Sequence, residues 1–294
     1  MKVLTNLVKN VLTPSPVLTP LLVSYLQKEY ARNDKAMVIA DAKLTVATFK
    51  ERILEFNHRD DVEGEFFHPS AIGQCLRKLW FDEFKAPKDS SPQGLELLKT
   101  HITFEIGTYT HVLFQNLCEM AGVLVKREIS IKDPKRRVLG HADGIVRIKG
   151  ERYLLEIKTS NSRTFLGLSA PNESHLKQMH LYMASLGLKK AILIYIDKDR
   201  SVVKEFVVEF DKRLYVTQCQ GRISVFFKHV KERTPPDKEG MNPQVMPCLY
   251  CPYKLVCFDV ERLKNFMKTM KTSKVGVHSR NLKLKPKLKL KRRK

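Results

Sequence analysis

The spacing of apolar positions changes several times along the chain, and each change predicts an element. In residues 101–121, Ile106, Leu113, Leu117 and Met120 recur at helical spacing, which predicts a helix with that stripe facing the core. Residues 123–132 read as a strand. Residues 136–160, RRVLGHADGIVRIKGERYLLEIKTS, predict two strands, roughly Val138 to Ile148 and Arg152 to Thr159. They are joined by a turn at Lys149-Gly150-Glu151, where Gly150 can take a positive φ. Residues 174–187 predict a helix, with Ser174 as its cap and Gly187 as its stop. The nearly continuous apolar run 190–196 suits a central strand, 202–210 a neighbouring strand, and 212–232 a long helix ending before Pro235-Pro236. This order predicts an α/β domain with a mixed central sheet flanked by helices.

Outside that block the pattern is weaker. Leu21 to Ala31 and Ala47 to Phe56 look helical, so residues 1–60 are expected to form an N-terminal helical extension. It would cover the main domain or, alternatively, bind a protein partner. Residues 68–84 look like a loop entering a helix, with Ser70 as its cap. The main domain is expected over 61–264, and beyond Lys264 the periodicity is lost. The stretch 281–294, NLKLKPKLKLKRRK, holds eight Lys or Arg and no acid, so 265–294 reads as a basic, disordered tail.

Charge narrows the partners. The net charge is +22, and the chain is basic even without its tail, which points to nucleic acid first and an anionic membrane surface second. No apolar run is long enough for a membrane helix, and the N-terminus lacks a signal-peptide core. An intracellular location is expected, cytoplasmic or, given the basic tail, nuclear. The 43% hydrophobic content suits a folded domain.

The second strand of the hairpin carries the first candidate chemistry. Side chains alternate along a strand, so Glu156 and Lys158 share one face while Leu155 and Ile157 take the other. Asp143, across the turn, can reach the face of Glu156. Two neighbouring carboxylates repel unless a cation sits between them, and Mg²⁺ prefers such a pair. A lysine beside that ion can hold or deprotonate a water, which supplies the parts for metal-assisted phosphodiester hydrolysis. The plain alternative is an edge hairpin with a surface Glu–Lys pair. Gly107, His111 and Gln115 stand four apart on the long helix, away from its apolar stripe, and His111 alone reads equally as a hydrogen-bonded helix histidine. Gly107 suggests close approach of a backbone or ligand. Gln178 and Tyr182 share a face of the next helix, either in a site or as an exposed Gln beside a half-buried Tyr.

The cysteines suggest a second centre. Cys248, Cys251 and Cys257 form C-x2-C-x5-C, one ligand short of four, and Cys75 is the best fourth. Cys118 and Cys219 lie on helices and read as packing residues. Structural zinc usually takes two close pairs, whereas one remote and three grouped cysteines are more familiar for an iron–sulfur cubane. Zn²⁺ stays as the alternative occupant.

Taken together, Gly107-x-x-x-His111 with Gln115, Asp143 in GHADG, Glu156-Ile157-Lys158 and Gln178-x-x-x-Tyr182 resemble the RecB-type nucleases of the PD-(D/E)xK superfamily. The one-plus-three cysteines, with GQCLRKLWF around Cys75, resemble its iron–sulfur branch, which includes the CRISPR-adaptation nuclease and AddB-like nuclease domains. The resemblance covers about 68–258. No Walker motif accompanies it, so a stand-alone nuclease is implied. It implies a restriction-endonuclease-like core with a cluster subdomain. His111, Asp143, Glu156 and the Ile157 carbonyl would ligate Mg²⁺ or Mn²⁺. Lys158 would serve the attacking water, and Gln178 and Tyr182 would hold the DNA strand or support the site. Cys75, Cys248, Cys251 and Cys257 would bind a structural [4Fe-4S] cluster. The implied activity is a metal-dependent DNA exonuclease preferring single-stranded ends. An endonuclease of the same fold, or a non-catalytic DNA-binding protein built on it, are the competing readings.

Overall fold

The computed structural model describes residues 12–13, 16–31, 43–47, 66–89 and 94–272. Its centre is a six-stranded mixed sheet in the order β1-β6-β5-β4-β3-β2. The strands are β1 (Leu12–Thr13), β2 (Leu124–Asp133), β3 (Val138–Ile148), β4 (Glu151–Ser160), β5 (Lys190–Asp197) and β6 (Val202–Glu209). Only β4 and β5 pair in parallel; the other neighbours are antiparallel. A parallel pair needs a crossover, and here it is the helix Glu173–Leu186. The helices used below are α1 (Thr19–Ala31), α2 (Leu76–Glu83), α3 (Leu95–Met120), α4 (Ser162–Leu166), α5 (Glu173–Leu186), α6 (Gly221–Glu232), α7 (Lys254–Phe258) and α8 (Val260–Thr272). The α/β architecture and mixed sheet expected from the sequence are present.

The strands alternate between two cores. On one face Leu155, Ile157, Ile192, Ile194 and Val207 pack with Phe114 and Cys118 of α3 and with Leu18 and Leu22 at the start of α1. On the other, Leu154, Leu193 and Tyr195 pack with Leu176, Met179 and Met183 of α5, and the core continues through Trp80, Phe226 and Val256. The β3–β4 turn is Lys149–Gly150, both at positive φ (50° and 82°), and Glu151 already pairs with Ile148. That left-handed pair matches the strand twist. Asn172, not Ser174, caps α5: its side-chain oxygen accepts from the Ser174 N–H, and Gly187 ends the helix in the left-handed region. Ser70 likewise caps nothing; it sits inside a short 3-10 turn, Pro69–Ala71, whose preceding residue is His68.

Three expectations need correcting. The long helix does not bury Ile106 and Leu113, which are 40% and 60% exposed; it buries Val112, Phe114, Gln115, Asn116 and Cys118. Apolar residues lie on more than one side of α3, so periodicity cannot choose the buried side, and the polar contacts of His111 and Gln115 choose it instead. An added Cβ at Gly107 would meet only Thr159 Oγ1 at 3.7 Å, so no neighbouring protein atom requires glycine there. Periodicity also continues past Lys264, because α8 runs from Val260 to Thr272 and buries Met270. Residues 48–56 of the second N-terminal helix, residues 1–11 and the basic stretch 273–294 lie outside the described residues. No helix among the described residues is long and apolar enough to cross a membrane.

Besides the short β1–β6 ladder, one side chain of β6 holds the chain before α1. Glu205 accepts from the N–H groups of Val17 (2.6 Å), Leu18 (2.9 Å) and Thr19 (2.6 Å), and also from the Thr19 hydroxyl. It serves as the cap that α1 lacks in its own sequence. Replacing it with alanine is expected to cost about 1–2 kcal/mol of unfolding free energy, as for loss of a strong N-cap. Chemical denaturation of Glu205→Ala checks this, and an unchanged midpoint would mean that the contact is not a net stabiliser.

Candidate active site

The site forms where β3 and β4 part. Their ladder pairs Ile148↔Glu151 through Gly144↔Leu155 and then stops. Beyond that point the Asp143 side chain enters the gap, and its Oδ2 accepts from the Ile157 N–H at 2.6 Å. A carboxylate has replaced the backbone acceptor of the ladder. An added Cβ at Gly144 would lie 2.9 Å from the Lys126 carbonyl oxygen on β2, so the residue after Asp143 has room only for glycine. From the opposite direction α3 brings His111, whose Nδ1 lies 3.2 Å from Asp143 Oδ1. One turn on, Gln115 is fully buried; its amide donates to the Asp143 carbonyl (2.7 Å) and to Glu128 (2.9 Å).

Glu156 lies on the face of β4 that looks toward α5. Its Oε1 accepts from Lys158 Nζ at 2.7 Å and from Gln178 Nε2 at 2.9 Å. Its Oε2 is buried and has no hydrogen-bond partner among the described residues. Gln178 also reaches the Tyr182 hydroxyl at 3.4 Å, and Tyr182 closes over Gly140. Thus His111, Gln115, Asp143, Glu156, Lys158, Gln178 and Tyr182 are brought into one network from α3, β3, β4 and α5. Ile157 contributes its N–H to that network and its side chain to the core behind it.

Burial governs the charges. Burial pushes the Glu156 carboxyl up, and nearby Asp143 adds to this against the pull of Lys158, so it reaches about 7. Burial acts the same way on Asp143, yet His111, Lys158 and the Ile157 N–H together hold it below the usual carboxylate range. Two adjacent carboxyls in identical solvation would share that penalty; here the hydrogen bonds split them. Burial alone would lower His111 and Lys158, but the carboxylates outweigh it and raise both. Among the described residues no group of three or more His, Cys, Asp or Glu side chains is gathered to hold a metal ion. The geometry gives the reason: Lys158 and His111 occupy the carboxylate oxygens as internal counter-charges, leaving Oε2 of Glu156 as the buried acceptor without a donor.

No family model matches the sequence. Among curated proteins, the CRISPR-associated exonuclease Cas4 of Saccharolobus solfataricus is 28% identical over 132 residues, 45% of this chain and 57% of the relative. The chain therefore spans little more than half the length of that relative. Two solved structures superpose with TM-scores of 0.43. SSO0001 is 19% identical and covers 76% of this chain and 96% of its own; the alkaline exonuclease LHK-Exo of Laribacter hongkongensis is 16% identical and covers 58% and 90%. The Cas4 match and the arrangement of His111, Asp143, Glu156 and Lys158 agree. Over those 132 residues the chain is similar to a nuclease.

On the same fold the sequence-predicted cysteines also come together. Cys75, Cys248, Cys251 and Cys257 all line a cavity of about 270 Å³, although Cys75 stands at the start of α2, Cys248 and Cys251 precede α7 and Cys257 lies within it. Arg77, Lys78, Lys238 and Lys254 line it with one acid, Glu239, and burial pushes the Cys248 and Cys251 thiols up. Gly240 backs onto the cavity, where a Cβ would meet Cys248 Sγ at 2.4 Å. Cys118 and Cys219 are fully buried elsewhere, and burial pushes both thiols up to about 12.

The sequence reading missed two residues beside the candidate site. Tyr195 pairs with Lys158 across β4 and β5, and His175 on α5 contacts the Tyr195 hydroxyl at 2.8 Å. A signal was present: His175, Gln178 and Tyr182 follow the spacing of one helix face.

Two outcomes are expected. The Glu156 proton is held more tightly in the folded chain, at about 7, than in the unfolded one, at 4.5. Its stabilising contribution is complete below the unfolded value and is lost as pH rises through 7. The melting temperature of metal-free wild type should therefore fall between about pH 4.5 and 7 relative to Glu156→Gln and level off above, and parallel pH profiles would exclude the raised carboxyl. Brief alkylation of the native metal-free protein should label cysteines of the cavity and spare Cys118 and Cys219, as peptide mass mapping would read out.

Proposed function

We propose that the chain is a metal-dependent deoxyribonuclease that hydrolyses phosphodiester bonds at DNA ends, with a preference for single strands. The observation that carries this is Glu156 Oε2, a buried carboxylate oxygen without a donor, set beside Asp143 and Lys158. A buried unsatisfied acceptor is costly, and a divalent cation is the partner that two carboxylates and an imidazole suit. His111, Asp143, Glu156 and the Ile157 carbonyl would hold Mg²⁺ or Mn²⁺. When bound, the ion supplies Lewis-acid polarisation of the phosphate and a more acidic water.

The chain's own groups do the rest. Lys158, which donates to Glu156, would donate to the phosphoryl oxygen on which charge develops and orient the attacking water. Gln178 holds Glu156 in place, and Tyr182 braces Gln178 against Gly140. Gln115 fixes the Asp143 backbone, so that the carboxylate stays in the gap between β3 and β4. The basic charge of +22 supplies attraction for the phosphate backbone.

The cysteine cavity is assigned a structural [4Fe-4S] cluster. A tetrahedral zinc site would draw four sulfurs to about 4 Å of one another. Here the cysteines surround a cavity of about 270 Å³ without forming a compact ligand group, which favours a bulkier occupant. Such a cluster would tie α2 to the segment around α7 and close a long loop, stabilising the fold.

The test is digestion of end-labelled single- and double-stranded DNA, linear and circular, with Mn²⁺ and anaerobically purified protein. Wild type should release short products from linear single strands and spare circles. Lys158→Ala should lose about 10³-fold in rate, in line with removal of a charge-stabilising donor. Cleavage of circles at a comparable rate would favour an endonuclease. Tight binding without cleavage would favour the non-catalytic reading, and equal cleavage by both proteins would misplace the active site.

A further inference from the structure

The catalytic network leaves one group beside it unused. On α5, His175 precedes Gln178 by three positions and Tyr182 by seven, so all three share the side facing the sheet. Gln178 meets Glu156, while His175 lies one turn nearer the helix start, over Tyr195. Tyr195 and Lys158 are register partners on parallel strands, and both face α5. His175 therefore stands next to the Lys158 end of the site.

The hydrogen bonds suit the tautomer with its proton on Nε2. The Asn172 N–H donates to the Tyr195 hydroxyl oxygen at 3.0 Å. The hydroxyl proton is then free to point at His175 Nδ1, 2.8 Å away. Nδ1 accepts, so the ring proton sits on Nε2. Burial, reinforced by the positive charge of Lys158, pushes His175 down to about 4, so the ring is uncharged at neutral pH. The ring is half-buried, and Nε2 has no hydrogen-bond partner among the described residues. A neutral N–H donor is thus fixed in direction and left open beside the lysine that would meet the scissile phosphate.

We propose that His175 is a substrate-positioning residue whose Nε2–H donates to a backbone phosphate of the bound strand, next to the one attacked. This rests on the nuclease reading of the neighbouring site. An uncharged donor at this position adds a phosphate contact without setting a second cation against Lys158. It also gives the contact a signature, because a neutral group displaces no counterion from the nucleic acid.

The experiment uses the full chain and a fluorescein-labelled single-stranded oligonucleotide. Binding is read by anisotropy in Ca²⁺ and cleavage in Mn²⁺, for wild type and for His175→Ala, His175→Asn and His175→Gln. Losing one hydrogen bond to a charged oxygen should weaken binding and raise KM about tenfold in His175→Ala, with kcat within about twofold. The slope of log affinity against log salt should stay as in wild type, whereas losing a lysine contact would reduce it by about 1. Asparagine can keep the contact to Tyr195 but cannot reach the Nε2 position, and glutamine can. His175→Gln should therefore recover most of the affinity and His175→Asn should not. Recovery by asparagine and not glutamine would make His175 a structural brace and overturn the proposal. Unchanged affinity in His175→Ala, or a reduced salt slope, would overturn it too. Failure of the nuclease reading would appear separately, as equal cleavage by wild type and Lys158→Ala.

Discussion

The structure turns on one substitution of partners: a side-chain carboxylate takes a hydrogen bond that would otherwise belong to a β-ladder. Asp143 Oδ2 accepts from the Ile157 N–H just past the last β3–β4 pair. The strands can separate there without leaving that N–H unsatisfied. Separation opens the gap into which α3 sends His111 and Gln115 from one side, while α5 sends Gln178 toward Glu156 from the other. Had the ladder continued, Asp143 would have no route to Ile157 and the site no opening.

The gap also explains the electrostatics. Two carboxyls buried where two central strands part cannot both stay charged without compensation. The protein gives Asp143 most of the donors and leaves Glu156 with a partnerless oxygen and a raised pKa. That asymmetry underlies the proposal that the pair accepts a cation; Lys158 and His111 are the counter-charges paired with it here. The same low-dielectric setting keeps His175 uncharged next to Lys158.

A second centre lies at the far end of the same core. Trp80 of α2 is fully buried and donates to the His229 carbonyl at 3.2 Å, and Phe81 packs against Tyr253. Tyr253 in turn donates to Asp82 at 2.5 Å. These contacts bring Cys75 and the later cysteines to one cavity without a bond between them. The cavity and the active site share the core that runs from α5 through α2 to α7, so order at one end supports packing at the other.

Much of this was legible in the sequence, because it depends on local period and composition. The β3–β4 hairpin, the apolar run of β5 and the crossover helix follow from alternation, continuity and helical spacing. The motif residues could be named because their chemistry is carried by residue type. What the sequence could not decide is which side of a helix faces inward when more than one side is apolar; α3 buries Phe114 and Cys118 and leaves Leu113 outside. Nor could it show that Asn172 caps α5, that Glu205 caps α1 from the far side of the sheet, or that Tyr195 meets His175. Each of these is a contact between residues remote in sequence or competing at short range. Local pattern determines which elements form; only the packed structure decides which donor meets which acceptor, because that choice is made by the space left once the cores have closed.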